Sequence, residues 1–251
     1  MEGKNGFEGL HIERDQFFVN VEVKNLLVED KKILAGAVAS GGLGSDELKS
    51  FNEESLVSLI PQKHNNPMRF KDDNKGYEGL AYAKHSGIEY LFALCEGNEC
   101  KKKEEGDAFA GRIHIYTKQR ENEWEYLAKV KLDGAVDFHD YSGLDIVWHQ
   151  LSDGNYEGDI LIVSQEDQRL WKGKIVFGDG SFKLNGKGQV YSFPKNEGYC
   201  NIEGVAWFGE ASSRQIVVVS DQAKKEQKKD KSMNCEDKDQ SIHLLIYLRG
   251  F

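Results

Sequence analysis

The chain has 251 residues, 39% of them hydrophobic and 30% charged, with a formal net charge of −9. No stretch approaches the roughly 20 apolar residues of a membrane-spanning helix, and the acidic balance disfavours nucleic acid, whose phosphates require a clustered basic surface. Glycine (26) far exceeds proline (3), so turns rest on Gly, Asn and Asp.

The first predicted strand opens on Phe7-Glu8-Gly9-Leu10. A β-prone run, Gln16 to Val21, follows it, with weaker runs at Lys32 to Ala39 and Ser55 to Ile60. The same order restarts at Tyr77-Glu78-Gly79-Leu80, followed by Glu89 to Leu94, Arg112 to Thr117 and Trp124 to Leu132. It restarts again at Tyr141-Ser142-Gly143-Leu144, followed by Asp159 to Ser164, Leu170 to Phe177 and Gln189 to Phe193. The last restart, Ile202-Glu203-Gly204-Val205, leads to Gln215 to Ser220 and then to one further strand, Ser241 to Tyr247.

A motif returning at intervals of about 60 to 70 residues marks a repeat protein. Each of the first three periods supplies four short strands, the composition of a propeller blade, and the last supplies three. No amphipathic helical stretch is long enough to cross between parallel strands, which argues against a βαβ fold. The expectation is an all-β fold: one β-propeller domain over 1–251, with repeats at approximately 7–76, 77–140, 141–201 and 202–251 and an incomplete last blade. An open ring would leave unpaired blade edges, through which a homodimer would form.

Strand direction places the chemistry. If the second strand of a blade returns antiparallel to the first, the start of one and the end of the other share a face. The starts carry Glu8, Glu78, Ser142 and Glu203; the ends carry Glu22, Glu96, Gln165 and Asp221, with Glu166 and Asp167 beside Gln165. Like charges gathered at one mouth need neutralising, and a hard cation with oxygen ligands, Ca²⁺ first, suits them. The metal set is therefore Glu8, Glu78, Glu96, Glu166, Asp167, Glu203 and Asp221. The competing reading makes each strand-start Glu an acceptor for backbone N–H groups of the next blade. Ser142 in place of Glu, with Gln165-Glu166-Asp167 added in the same repeat, speaks for a site over a purely structural device.

Loops on the same face add catalytic and binding candidates. In Asp137-Phe138-His139-Asp140-Tyr141 a histidine stands between acids, a layout for proton transfer by His139 and Asp140. His149 and His243 read as packed or edge residues. Arg169, with Lys172 beside Trp171, and Lys224 after Asp221 are candidates for an anionic substrate, while Lys224 to Lys231 as a whole reads as a solvated loop.

The four cysteines, Cys95, Cys100, Cys200 and Cys235, map to the same face. An even count suits two disulfides, most simply Cys95 with Cys100 and Cys200 with Cys235, among three possible pairings; free thiols and a structural zinc are the alternatives. Disulfides imply an oxidising compartment. The amino terminus shows no signal-peptide layout, which leaves a secreted protein with its leader removed or a cytoplasmic one.

Several segments together resemble a family. Leu94-Cys95-Glu96-Gly97-Asn98-Glu99-Cys100, Val163-Ser164-Gln165-Glu166-Asp167 with Leu170-Trp171, Tyr199-Cys200-Asn201-Ile202-Glu203-Gly204-Val205-Ala206-Trp207, Val219-Ser220-Asp221 and Lys238-Asp239-Gln240-Ser241-Ile242-His243 are similar to motifs of the SdiA-regulated, esterase-like and β-propeller phytase group. The resemblance covers roughly residues 70 to 251 and implies a calcium site near Gln165-Glu166-Asp167. The chain departs from it in showing four periods where phytase-like propellers have six blades. Two functions are expected: a Ca²⁺-dependent hydrolase of the phosphoesterase or lactonase type, or a non-enzymatic propeller that binds a small molecule, glycan or protein around a structural cation.

Overall fold

The structure is a computed structural model. It describes residues 7–13, 16–28, 31–42, 57–59, 62–63, 66–67, 76–96, 111–120, 123–132, 134–194, 199–209, 214–222, 229 and 241–245, and within 1–60 only the side chains of Phe18 and Leu59. The chain divides into two compact units, Met1–Leu132 and Asp133–Phe251.

In the first unit, β1 (Phe7–Glu13), β2 (Gln16–Val28), β3 (Lys31–Gly42) and β4 (Val57–Leu59) form a sheet in chain order. The short pair β5 (Gln62–Lys63) and β6 (Asn66–Pro67) follows. A second four-stranded sheet holds β7 (Tyr77–His85), β8 (Ile88–Cys95), β9 (Arg112–Arg120) and β10 (Glu123–Lys131). In the second unit, β11 (Gly143–Gln150), β12 (Tyr156–Ser164), β13 (Arg169–Gly178), β14 (Ser181–Leu184) and β15 (Gln189–Ser192) make the third sheet. The fourth is β16 (Ile202–Phe208), β17 (Gln215–Ser220) and β18 (Ser241–Leu245). Every pairing is antiparallel between strands that follow one another closely in the chain, so the fold is all-β and made of propeller-type blades. The fourth sheet has three strands among the described residues, the shortfall expected from the sequence.

Burial follows the hydrophobic pattern. The second strands of the second and third sheets are covered on both faces: Leu91 to Cys95 in β8 and Ile160 to Val163 in β12 are fully buried. That is why these strands read as continuous apolar runs. The outer strand β10 alternates instead, with Trp124 and Val130 buried and Glu123, Glu125 and Leu127 exposed. Between the first two sheets Phe18 stacks on Tyr82 with ring centroids 4.6 Å apart, and Trp124 closes the cluster edge-on at 6.4 Å. Between the last two sheets Leu161, Val163 and Leu170 pack with Ile202, Ile216 and Val218. Each such side chain contributes about 1.5–3 kcal/mol through burial.

The recurring motif has a backbone explanation. Ladder register shifts between Tyr77 and Gly79 and between Ile202 and Gly204, so Glu78 and Glu203 are β-bulge residues, and a shift between Phe7 and Leu10 brackets Glu8. The motif glycine permits close approach: a Cβ on Gly143 would lie 3.0 Å from the Gly204 Cα and 3.1 Å from the Val205 nitrogen. The inner strands β11 and β16 therefore meet backbone to backbone. Gly143→Ala should destabilise the second unit by about 1–3 kcal/mol, read as a lower denaturation midpoint at unchanged slope; an unchanged midpoint would show that the two strands separate freely.

One strand escapes the sequence reading. The turn Asp179-Gly180 has φ of 52° and 70°, the two-residue hairpin geometry that Asp-Gly favours. It returns the chain as β14, which pairs with the far half of β13 while β15 pairs with the near half. Between the two halves stands Gly173, where a Cβ would strike the Trp171 ring at 2.2 Å. Trp171 is buried and donates its Nε1–H to the carbonyl of Lys187 at 3.0 Å.

Candidate functional site

The most developed polar constellation lies at one end of the third sheet. Ser164 closes β12 and pairs with Arg169, which opens β13, so residues 165–168 form the connecting turn, with Gln168 in the left-handed region at φ 52°. The loop before β11 lies against that turn. It starts from a short 3-10 turn, Gly134–Val136, to which Tyr141 donates its hydroxyl through the carbonyl of Val136 at 2.8 Å. Phe138 and Asp140 point inward with 0% and 3% exposure, while the side chain of His139 between them is 65% exposed.

Hydrogen bonds organise these groups into two linked pairs. The carboxylate of Asp140 accepts the Ser164 hydroxyl and, at 3.1 Å, the N–H of Glu166. Ser164 Oγ in turn accepts the N–H of Asp167 at 3.0 Å. Asp167 then holds His139 twice: Oδ2 accepts the His139 backbone N–H at 2.6 Å, and Oδ1 lies 2.8 Å from His139 Nδ1. A carboxylate facing Nδ1 selects the tautomer protonated there and leaves the Nε2 lone pair directed at solvent.

The arrangement is an exposed histidine held by a carboxylate. It is not a nucleophilic triad, because Ser164 is fully buried and gives its proton to Asp140. His139 and Asp140 thus part company. The His139 side chain is exposed, whereas Asp140 is buried and braces the turn through Ser164 and the Glu166 N–H.

The same turn reaches strand β16 at one point and the segment leading into it at another. Gln165 donates from Nε2 to the Glu203 carboxylate at 2.9 Å, and Gln168 donates from Nε2 to the carbonyl of Tyr199 at 3.1 Å. Ser142 donates its hydroxyl to the carbonyl of Ile202 at 2.7 Å. Ser142 therefore links the two repeats directly at the place where other repeats carry Glu.

The remaining predicted residues are placed as follows. Backbone bonds from Glu96 N–H to the Gly76 carbonyl and from Asp221 N–H to the Asn201 carbonyl, at 3.1 and 3.0 Å, join the end of each second strand to the start of the first. Glu78 and Glu96 accordingly share one end of the second sheet, both half-buried. Glu203 and Asp221 share one end of the fourth, the former half-buried and the latter exposed. Glu166 and Arg169 are exposed on and beside the 165–168 turn. Glu8 lies in β1 without a described side chain, and Lys224 lies outside the described residues. Among the described residues no group of three or more His, Cys, Asp or Glu side chains is set to hold a metal ion.

Lys172, weighed above for an anionic ligand, lies over the Trp207 ring at 5.3 Å, with Arg214 at 5.7 Å. The Trp207 backbone N–H donates to Asp145 at 2.7 Å; burial pushes the Asp145 carboxyl up from its ordinary range, against this bond, that from Ile146 and the nearby Arg214. Cys95 and Cys200 are both disulfide-bonded; Cys100 and Cys235, their expected partners, lie outside the described residues.

Ser164, Gln168 and Asn201 were not singled out from the sequence as site residues. Their signal was the repeat itself. Asp140 stands three residues before the motif glycine Gly143 and Ser164 one residue beyond that glycine's ladder partner Val163; Asn201 and Ser220 stand in the same relation to Gly204 and Val219. Superposing the repeats on their glycines would have exposed the pairs.

No family model matches the chain, and no curated protein matches it. Solved structures of similar fold include an α-L-arabinofuranosidase from Lactobacillus brevis (10% identity, TM-score 0.47, covering 95% of this chain and 71% of that one). Another is an endo-arabinase from Bacteroides thetaiotaomicron (11% identity, TM-score 0.40, 96% and 74%). A third is a β-fructofuranosidase from Bombyx mori (10% identity, TM-score 0.35, 86% and 54%), of which the chain spans about half the length. At such identities and TM-scores these likenesses say nothing of the chemistry of this chain.

Proposed function

We propose that the protein is a hydrolase in which His139, oriented by Asp167, takes a proton from the attacking water. The observation that carries this reading is the double grip of Asp167 on His139, through the backbone N–H at 2.6 Å and Nδ1 at 2.8 Å, on an imidazole whose other edge is open to solvent. Such a base accepts the water proton at Nε2 as the bond to the electrophile forms, while the Asp167 carboxylate stabilises the imidazolium. The same Nε2–H then protonates the leaving oxygen. An anionic substrate would meet Arg169, exposed at the start of β13 beside the turn; Lys224, outside the described residues, is kept as a second candidate for that role from the sequence alone. A phosphoester or lactone is the substrate class we infer, in line with the resemblance of Gln165-Glu166-Asp167 and Leu170-Trp171 to the phytase-like group. Ca²⁺ bound by the strand-end acids would polarise the scissile group.

The direct test is hydrolysis of a panel of p-nitrophenyl phosphate, bis(p-nitrophenyl) phosphate, γ-lactones and p-nitrophenyl glycosides, with and without Ca²⁺. Turnover of one class, lost in His139→Ala, supports the reading. Turnover that survives that substitution, or none across the panel, favours the second reading, a binding propeller. The observation that favours the latter is that Ser142 and Glu203 are occupied in joining the third and fourth repeats.

We also propose a homodimer through the edge of the fourth sheet. Ile242 and Leu244 of β18 are 78% and 46% exposed, on the same face as Val219, and strand β18 ends the order β16-β17-β18 among the described residues. Light scattering should give twice the monomer mass and Ile242→Lys the monomer mass; a wild-type monomer at high micromolar concentration rules the dimer out.

A further inference from the structure

The contact between the 165–168 turn and the fourth sheet contains oxygens without partners. Gln165 Oε1, Asn201 Oδ1 and Ser220 Oγ are all buried and accept or donate no hydrogen bond, in residues 7%, 4% and 6% exposed. Leaving a buried polar group unpaired costs about 1–3 kcal/mol, so three at one end of a sheet call for an occupant.

Their placement is shared. Gln165 is fixed there by its Nε2 bond to Glu203. Asn201 lies between Tyr199 and Glu203, the two points at which the turn is anchored, in the left-handed region at φ 51°. Ser220 faces Ile202, the next residue, in the ladder. In the third repeat the equivalent positions, Asp140 and Ser164, bond to each other. In the fourth repeat Asn201 and Ser220 form no such bond.

We infer that Gln165 Oε1, Asn201 Oδ1, Ser220 Oγ and the Glu203 carboxylate form a binding site for a hard divalent cation, Ca²⁺ by its tolerance of mixed oxygen donors. The donor set is all oxygen: two amide carbonyls, a hydroxyl and a carboxylate, the chemistry Ca²⁺ takes, with water completing its shell. One carboxylate supplies the negative charge, and it is already aligned by the Gln165 amide. This deepens the proposed function by naming the cation's ligands, and rests on that reading only for the ion's catalytic use. The His139–Asp167 dyad contributes no ligand to it.

The test is calorimetric titration of metal-stripped protein with CaCl₂ and separately MgCl₂, on the wild type, Asn201→Ala, Ser220→Ala, Asn201→Asp and His139→Ala. Binding at one Ca²⁺ per chain is expected, with affinity at least about tenfold weaker in Asn201→Ala and Ser220→Ala. Asn201→Asp should tighten it, and His139→Ala should leave it unchanged. Because Asn201→Asp also restores the Asp–Ser pair of the third repeat, its melting temperature is measured with and without Ca²⁺. An equal rise in both, at unchanged Ca²⁺ affinity, overturns the site and makes the pair a structural latch. No Ca²⁺ binding by the wild type overturns it as well. Loss of hydrolysis in His139→Ala with intact Ca²⁺ binding, or the reverse, separates the fate of the dyad from that of the ion.

Discussion

Replacing His139 by Ala should lower kcat/KM on the identified substrate by about 10²–10⁴, or some 3–5 kcal/mol of transition-state stabilisation, with little change in melting temperature. The small structural cost follows from the exposed ring, which packs against little. Asp167→Asn should give a smaller loss, because an amide still reaches Nδ1 but can no longer stabilise a positive imidazole. Asp140→Asn separates position from chemistry: Asp140 braces Ser164 and the Glu166 N–H, so its loss should lower the melting temperature together with activity. Activity in His139→Ala within a factor of two of wild type, at any pH, would remove the dyad from the mechanism.

Acidification from pH 7 to 4 should unfold the first unit before the second. Burial lowers His85 from 6.5 to about 4, and burial with Lys129 and Arg112 nearby lowers His114 from 6.5 to about 3. Both stay neutral in the folded unit, whereas the unfolded chain binds their protons below pH 6.5. Stability is therefore fully present above pH 6.5 and is lost as pH falls towards 4 and 3, by about 1.4 kcal/mol per pH unit for each histidine. Two units of pH across both residues cost about 5 kcal/mol, the low end of the whole stability of a domain.

His114 is held in a fully buried network in which its Nδ1 and the Tyr116 hydroxyl each lie 2.6 Å from the Tyr77 hydroxyl. A His114→Gln variant should lose its share of the pH slope. In the second unit Asp145 works the other way: its raised pKa favours the folded state at low pH, a contribution lost as pH rises through the carboxylate range. Glu157, lowered chiefly by Lys174, loses its stabilisation as pH falls. Hydrogen exchange followed by mass spectrometry at pH 7, 6 and 5 should show peptides of 76–132 deprotecting first. Uniform protection of both units at pH 5 would show that the histidines are solvated in solution.

Strands and repeats were legible because their signals are local. Continuous apolar runs such as Leu91 to Leu94 announce a strand covered on both faces, and a motif glycine in every period announces a backbone constraint wherever it recurs. The type of the contact was not legible. Gly143 meets Gly204, and Ser142 meets the carbonyl of Ile202, across about 60 residues of chain, and nothing local distinguishes a residue that joins repeats from one that holds an ion. The strand β14, Ser181-Phe182-Lys183-Leu184, was missed although Asp179-Gly180 marks its hairpin; only Phe182 of its four residues is buried, so it carries little apolar signal.

By itself the sequence determined that the chain is an all-β repeat protein, which ends of its strands share a face, and that His139 and Asp167 belong to the candidates there. Only the tertiary structure decided that these two are partners. The chain bends at His139, with Phe138 and Asp140 on either side of it drawn into the interior and the His139 side chain left exposed. The carboxylate that can reach it is then the one delivered by the β12–β13 turn, 28 residues away, and not its chain neighbour Asp140.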